Sequence, residues 1–121
     1  MNRKTFLLTI IPPSLFCKEK KWVIYEFKEF IENWFKNNKP IINNQETRHE
    51  FFTLCYDWLE ESRKQKKISG HRVFCNEHNN TKEVIDRGEF LAQIEIVSIT
   101  TSNIKEVNVV IHNNKLTVYI I

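Results

Sequence analysis

The segment Glu89-Phe90-Leu91-Ala92-Gln93-Ile94-Glu95-Ile96 decides the fold class. Phe90, Ala92, Ile94 and Ile96 alternate with Glu89, Leu91, Gln93 and Glu95. A period of two sends one set toward a core and the other toward solvent, as in a half-buried strand. Val107, Val109 and Ile111 repeat the pattern, and Asn113-Asn114 offers a tight turn into a last strand over residues 115–121. Before it, residues 72–76 read as a short strand followed by a polar turn through Asn79 and Asn80.

Upstream of Gly70 the period changes to that of a helix. Val23, Phe27, Phe30, Ile31 and Trp34 recur at helical spacing over residues 20–37, while Glu26, Lys28, Glu29 and Lys36 take the other faces. Asn37-Asn38-Lys39-Pro40 stops this helix. A second helix is expected over residues 45–66, with Thr47 and Glu50 at capping-box spacing. Phe51, Cys55, Trp58 and Leu59 form its buried stripe. Arg63, Lys64, Lys66 and Lys67 suit the negative end of its dipole, and Gly70 reads as its terminator.

Residues 4–11 read as a further strand, which Pro12-Pro13 turns away. The expected fold is therefore α+β, two helices packed on a small mixed or antiparallel sheet. The chain reads as one domain: an N-terminal arm over residues 1–19, a core over 20–112 and a C-terminal strand or arm over 113–121. Each terminal strand either completes its own sheet or is donated to a neighbour's edge. The residues concerned are Phe6, Leu8 and Ile10 at one end and Leu116, Val118 and Ile120 at the other.

Composition fits a globular chain. Of 121 residues, 41% are hydrophobic and 12% aromatic, which is ample for one core. Two Gly and three Pro argue against a disordered or fibrous chain. The net charge of +3, from 18 basic and 15 acidic residues, does not by itself imply nucleic acid. Cys17, Cys55 and Cys75 are too few for a disulfide framework and read as buried thiols in a reducing compartment. Arg3 and Lys4 precede an apolar run, but it is short, and bulky Phe16 stands where a cleavage site needs a small residue. No segment is long enough to span a membrane.

Residue chemistry points away from catalysis. His71, Cys75 and His78 lie close in sequence, yet no second ligand pair has zinc spacing, so no metal is expected. Asp86 and Glu95 resemble part of a nuclease core, but Val97 stands where a lysine would be needed to stabilise phosphate charge. Cys55 and Cys75 have no base beside them, and Gly70 and Gly88 cannot build a phosphate-cradling loop. No cofactor is implied. The basic run from Arg63 to Lys67 has no interleaved aromatics and sits beside Glu60 and Glu61, so it reads as a solvated helix end or a docking surface for an acidic partner.

The stretch Phe74-Cys75-Asn76-Glu77-His78-Asn79-Asn80-Thr81, then Val84-Ile85-Asp86 and Glu89-Phe90-Leu91-Ala92-Gln93-Ile94, resembles the C-terminal domain of contractile-phage tail sheath proteins. That family has a strand and turn ending Cys-Asp-Glu-x-Asn-Asn-Thr, an Ile-Asp pair, and an alternating strand. Thr101-Ser102-Asn103-Ile104 is similar to its next strand opening, and Thr47-Arg48 with Phe51 to its second helix. Asn76 here replaces the family's Asp, and Ile96-Val97-Ser98 lacks its Lys-Pro. Cys75, Glu77, Asn79, Asn80, Thr81 and Asp86 carry the motif. They read as shape determinants: Asn79 and Asn80 tolerate left-handed turns and bond nearby backbone, and Asp86 can cap the approach to the next strand.

The resemblance implies a structural, non-enzymatic virion protein of a phage tail, made in the host bacterial cytoplasm. Its partners would be copies of itself in a ring or lattice, the tail tube, and neck or baseplate proteins, with no membrane. Strand exchange through the terminal segments would knit the lattice, and Arg63, Lys64, Lys66 and Lys67 could face an acidic tube. The alternative is a small phage nucleic-acid-binding or host-regulating protein that uses the same basic helix end.

Overall fold

The computed structural model of the protein describes residues 19–121, with side chains from Val23 onward. The order is α1 (Glu19–Asn38), α2 (Gln45–Lys64), β1 (Ile68–Phe74), α3 (Lys82–Asp86), β2 (Glu89–Ser98), β3 (Ile104–His112) and β4 (Lys115–Ile120). The strands form one antiparallel sheet in the order β1-β2-β3-β4, so β1 and β4 are its edges. The expected α+β architecture is what the chain adopts. The predicted strand over residues 4–11, with Phe6, Leu8 and Ile10, lies outside the described residues, as does Cys17.

Register places the core. Phe90, Ala92, Ile94 and Ile96 of β2 and Val107, Val109 and Ile111 of β3 point to one face and are all buried. The helices cover that face. Phe27 and Ile31 of α1 and Phe51, Cys55 and Leu59 of α2 are buried against it. Burying each large side chain contributes roughly 1.5–3 kcal/mol, which is why the alternation fixes the register. Aromatic contacts tie the layers. Phe51 meets Phe90 edge-on at 5.7 Å, Trp34 lies 4.7 Å from Phe51, and Trp58 lies 5.4 Å from Phe27.

Element ends explain where sequence reading and structure part. The cap of α2 is Asn44, not Thr47: its extended backbone lets the side chain accept the Thr47 N–H at 2.8 Å. Thr47 thus sits in the first turn, and no capping box forms with Glu50. The helix ends at Lys64 rather than Lys66, and Gly70 does not stop it. Lys66 does, with φ of 62°, as its N–H bonds Arg63 O and the Lys67 N–H bonds Ser62 O. That pair of bonds is a Schellman closure made with lysine in the usual glycine position. Gly70 lies inside β1, beside a bulge between Ile68 and Gly70.

The predicted strand over residues 72–76 spans Ile68–Phe74 instead. A short helix, α3, stands between the Asn-Asn turn and β2. Thr81 caps it by accepting the Val84 N–H at 3.4 Å, and Gly88, with φ of 72°, ends it. The β3–β4 hairpin is as expected. Asn113 and Asn114 have φ of 52° and 60° between the paired residues His112 and Lys115, a two-residue turn of the twist that hairpins favour.

Candidate functional site

The motif residues gather where β1 ends and β2 begins. Past Phe74 the β1 strand no longer pairs with β2, which leaves the Leu91 backbone without a partner strand on that side. Asn80 takes the strand's place. Its Oδ1 accepts the Leu91 N–H and its Nδ2 donates to Leu91 O, both at 2.8 Å. Asn80 is only 2% exposed, so a complete set of bonds is needed there. Its two amide hydrogens also reach Asn76 O and Asn79 Oδ1, each at 3.1 Å.

Around Asn80 the loop is closed by its own amides. Asn79 Nδ2 donates to Phe74 O at 2.8 Å, its Oδ1 accepts the Asn76 N–H at 3.0 Å, and Asn76 Oδ1 accepts the His78 N–H at 2.8 Å. Neither Asn79 nor Asn80 is left-handed; among the described residues those positions are Lys66, Gly88, Ser102, Asn113 and Asn114. The asparagines matter because their side chains imitate peptide groups, not because of their backbone freedom. Asp86 does not cap the following strand either. It is exposed and pairs with Lys82 at 2.9 Å along α3.

Sequence reading missed the far side of this network. Asn43, in the α1–α2 connection, donates to Asn80 Oδ1 at 2.9 Å and to Glu89 O at 2.8 Å. Arg48 of α2 donates to Asn43 Oδ1 at 2.6 Å. The Asn43-Asn44 pair beside an apolar stretch was the available signal, and only its second member is a cap. Glu77 is exposed at the rim, and Cys75 is 5% exposed beneath it.

An open groove of about 260 Å³ adjoins the network, between α2 and the end of β1. Further along the same helix, Glu60 Oε1 lies 2.8 Å from His71 Nε2, and Glu60 also takes a two-oxygen contact from Arg63. The hydrogen bond from Arg63, then that from His71, lowers the Glu60 carboxyl to about 2. The His71 side chain is 4% exposed, and its Nδ1 has no hydrogen-bond partner among the described residues.

The four basic residues are therefore not equivalent. Arg63 is bound to Glu60, whereas Lys64, Lys66 and Lys67 are exposed with no carboxylate in ion-pair distance among the described residues. Cys55 and Cys75 are buried free thiols. Burial pushes Cys75 up to about 12 and Cys55 well above the ordinary thiol range. Among the described residues no group of three His, Cys, Asp or Glu could hold a metal ion. No described helix is long and apolar enough to cross a membrane.

At the C-terminal edge, Leu116 and Val118 pack against the core and β4 pairs with β3 of the same chain. Ile120 is 37% exposed, and the outer edge of β4 has no partner among the described residues. Comparison with protein families, with curated proteins and with solved structures returned no match.

Proposed function

We propose that the chain is a structural subunit of a contractile phage tail or a related injection machine, acting by self-assembly and by docking on a tube. Its place would be that of a sheath-like, cap, neck or baseplate component. The observation that carries this reading is the Asn79-Asn80-Thr81 turn of the resemblance. Every side chain in it is committed to backbone: Asn79 to Phe74 and Asn76, Asn80 to Leu91, and Thr81 to Val84. Such a motif serves shape, which is what a lattice subunit requires of it.

The edges of the sheet support the same reading. An unpaired strand edge is a template for another chain, and among the described residues β1 and β4 each present one. Leu116, Val118 and Ile120 at β4, with Phe6, Leu8 and Ile10 in the N-terminal segment, are the residues proposed for exchange. Lys64, Lys66 and Lys67 form the proposed tube-facing surface; Arg63, held by Glu60, contributes less. Mass spectrometry of purified particles tests the reading: the chain is expected in stoichiometric amounts, and its absence from mature particles would overturn it. Neutralising Lys64, Lys66 and Lys67 separates the alternative, since a nucleic-acid binder would lose salt-sensitive affinity for DNA or RNA.

A further inference from the structure

The two helices run antiparallel, since Phe27 lies 5.4 Å from Trp58 and Trp34 lies 4.7 Å from Phe51. The start of α1 is therefore level with the end of α2, where Lys64, Lys66 and Lys67 stand exposed. β1 begins at the same pole and brings the β2–β3 hairpin beside the lysines. Ile68 pairs with Ser98, and Ser69 Oγ donates to Ser98 O at 3.1 Å. Helix end and hairpin tip thus share one surface.

The tip is held by its own polar groups. The Ser98 N–H donates to Asn103 O at 2.8 Å, and Ser98 Oγ accepts the Thr100 and Thr101 N–H groups at 3.3 Å. This convex turn presents two aliphatic side chains to water, Ile99 43% and Ile104 57% exposed. Beside them stand Lys64, Lys66, Lys67 and the exposed Lys105. Two carboxylates of the same elements are without a cation: Glu61, held by Gln65 at 3.0 Å, and Glu106, held by Asn108 at 3.1 Å. The balance of the surface stays positive. Residues 1–22, which lead into this pole, contain five basic residues and one acidic one, Glu19, so they add to that charge rather than cancel it.

The mixture of cations and aliphatic groups narrows the occupant. Residues 64–69 and 98–105 contain no aromatic ring on which a base could stack. A protein partner would have to supply a pocket for a convex tip, whereas the outer layer of a bilayer yields to one. We propose that this pole docks on an anionic lipid bilayer. The lysines lie against the headgroups, and Ile99 and Ile104 enter the boundary between headgroups and acyl chains. The inference goes beyond the assembly reading, which gives the chain no membrane. It concerns the free chain, because a lattice that covers Lys64, Lys66 and Lys67 closes the same surface.

The test floats vesicles through a density gradient with the full chain, so that assembled particles stay below. The vesicles are phosphatidylcholine alone or an equal mixture with phosphatidylglycerol. The chain is expected to float with the mixed vesicles only, and less as salt rises. K64Q/K66Q/K67Q should weaken binding on the order of a hundredfold, from about fivefold for each lysine. Ile99→Ser with Ile104→Ser should weaken it about tenfold. Circular dichroism should be unchanged in both variants. Equal flotation with neutral vesicles, or no flotation at all, would overturn the proposal. So would undiminished binding by the isoleucine variant, which marks adsorption without insertion. Displacement by polyglutamate or duplex DNA at an equal concentration of charge would also overturn it, in favour of an acidic protein or a nucleic acid.

Discussion

Asn80 and Leu91 exchange two hydrogen bonds of 2.8 Å, side chain to backbone in both directions, so that one asparagine acts as the next residue of a strand that has already ended. The exchange fixes where β1 stops, holds the 75–81 loop on the sheet and, through Asn43 and Arg48, ties that loop to the entrance of α2. A single buried amide thus joins three chain segments far apart in sequence.

Asn80→Ala should cost roughly 3 kcal/mol, because it strands the Leu91 N–H and C=O and removes a partner of Asn43 in a buried setting. A urea midpoint measured by circular dichroism checks this. His78→Ala, at an exposed neighbour whose side chain makes no bond among the described residues, should stay within about 0.5 kcal/mol.

Glu60 should shape the acid limb of stability. Its folded carboxyl titrates at about 2, below the unfolded value of about 4.3. The unfolded chain therefore takes up the proton first as pH falls. The contribution is fully present above about pH 5 and is lost progressively toward pH 2. Urea midpoints of wild type and Glu60→Gln between pH 2 and 6 should converge as the pH drops. Parallel curves would sink the assignment.

The thiols should be inert in the native protein. With Cys75 at about 12, its thiolate fraction at pH 8 is on the order of one in ten thousand, against about a quarter for an ordinary thiol. In a Cys17→Ser background, N-ethylmaleimide at pH 8 should label Cys55 and Cys75 only as urea unfolds the chain. Rapid labelling without urea would contradict their burial.

Lys66→Gly should stabilise the chain by up to about 1 kcal/mol, since lysine at φ of 62° is strained where glycine is not. The gain is read as a raised thermal midpoint. Because Lys66 belongs to the proposed tube-facing surface, the same variant separates stability from docking.

Much of this fold is legible locally. The alternation in β2 and β3, the stripe of α1 and the Asn113-Asn114 hairpin each follow from spacing over a few residues, and all took their expected places. Thr81 and Gly88 bound α3, but no helix was expected there, because its single turn is too short for a hydrophobic period. What local reading could not see depends on partners brought together by the fold. Asn43 meets Asn80 across 37 positions and Glu89 across 46, and Glu60 reaches His71 from another element. The same distance in sequence hid the groove, whose walls belong to α2 and β1. The cap was missed for a local reason: Thr47 and Glu50 have the right spacing, but Asn44, three residues before Thr47, satisfies the orphan amide first.

The central claim is that this chain works by assembling. Mass photometry of the purified full chain over a range of concentrations, with negative-stain electron microscopy of the same samples, tests it most directly. Discrete rings or tubes are predicted, lost when residues 115–121 are removed while the helical circular-dichroism signal persists. A protein that stays monomeric at every concentration and forms no ordered particle would contradict it.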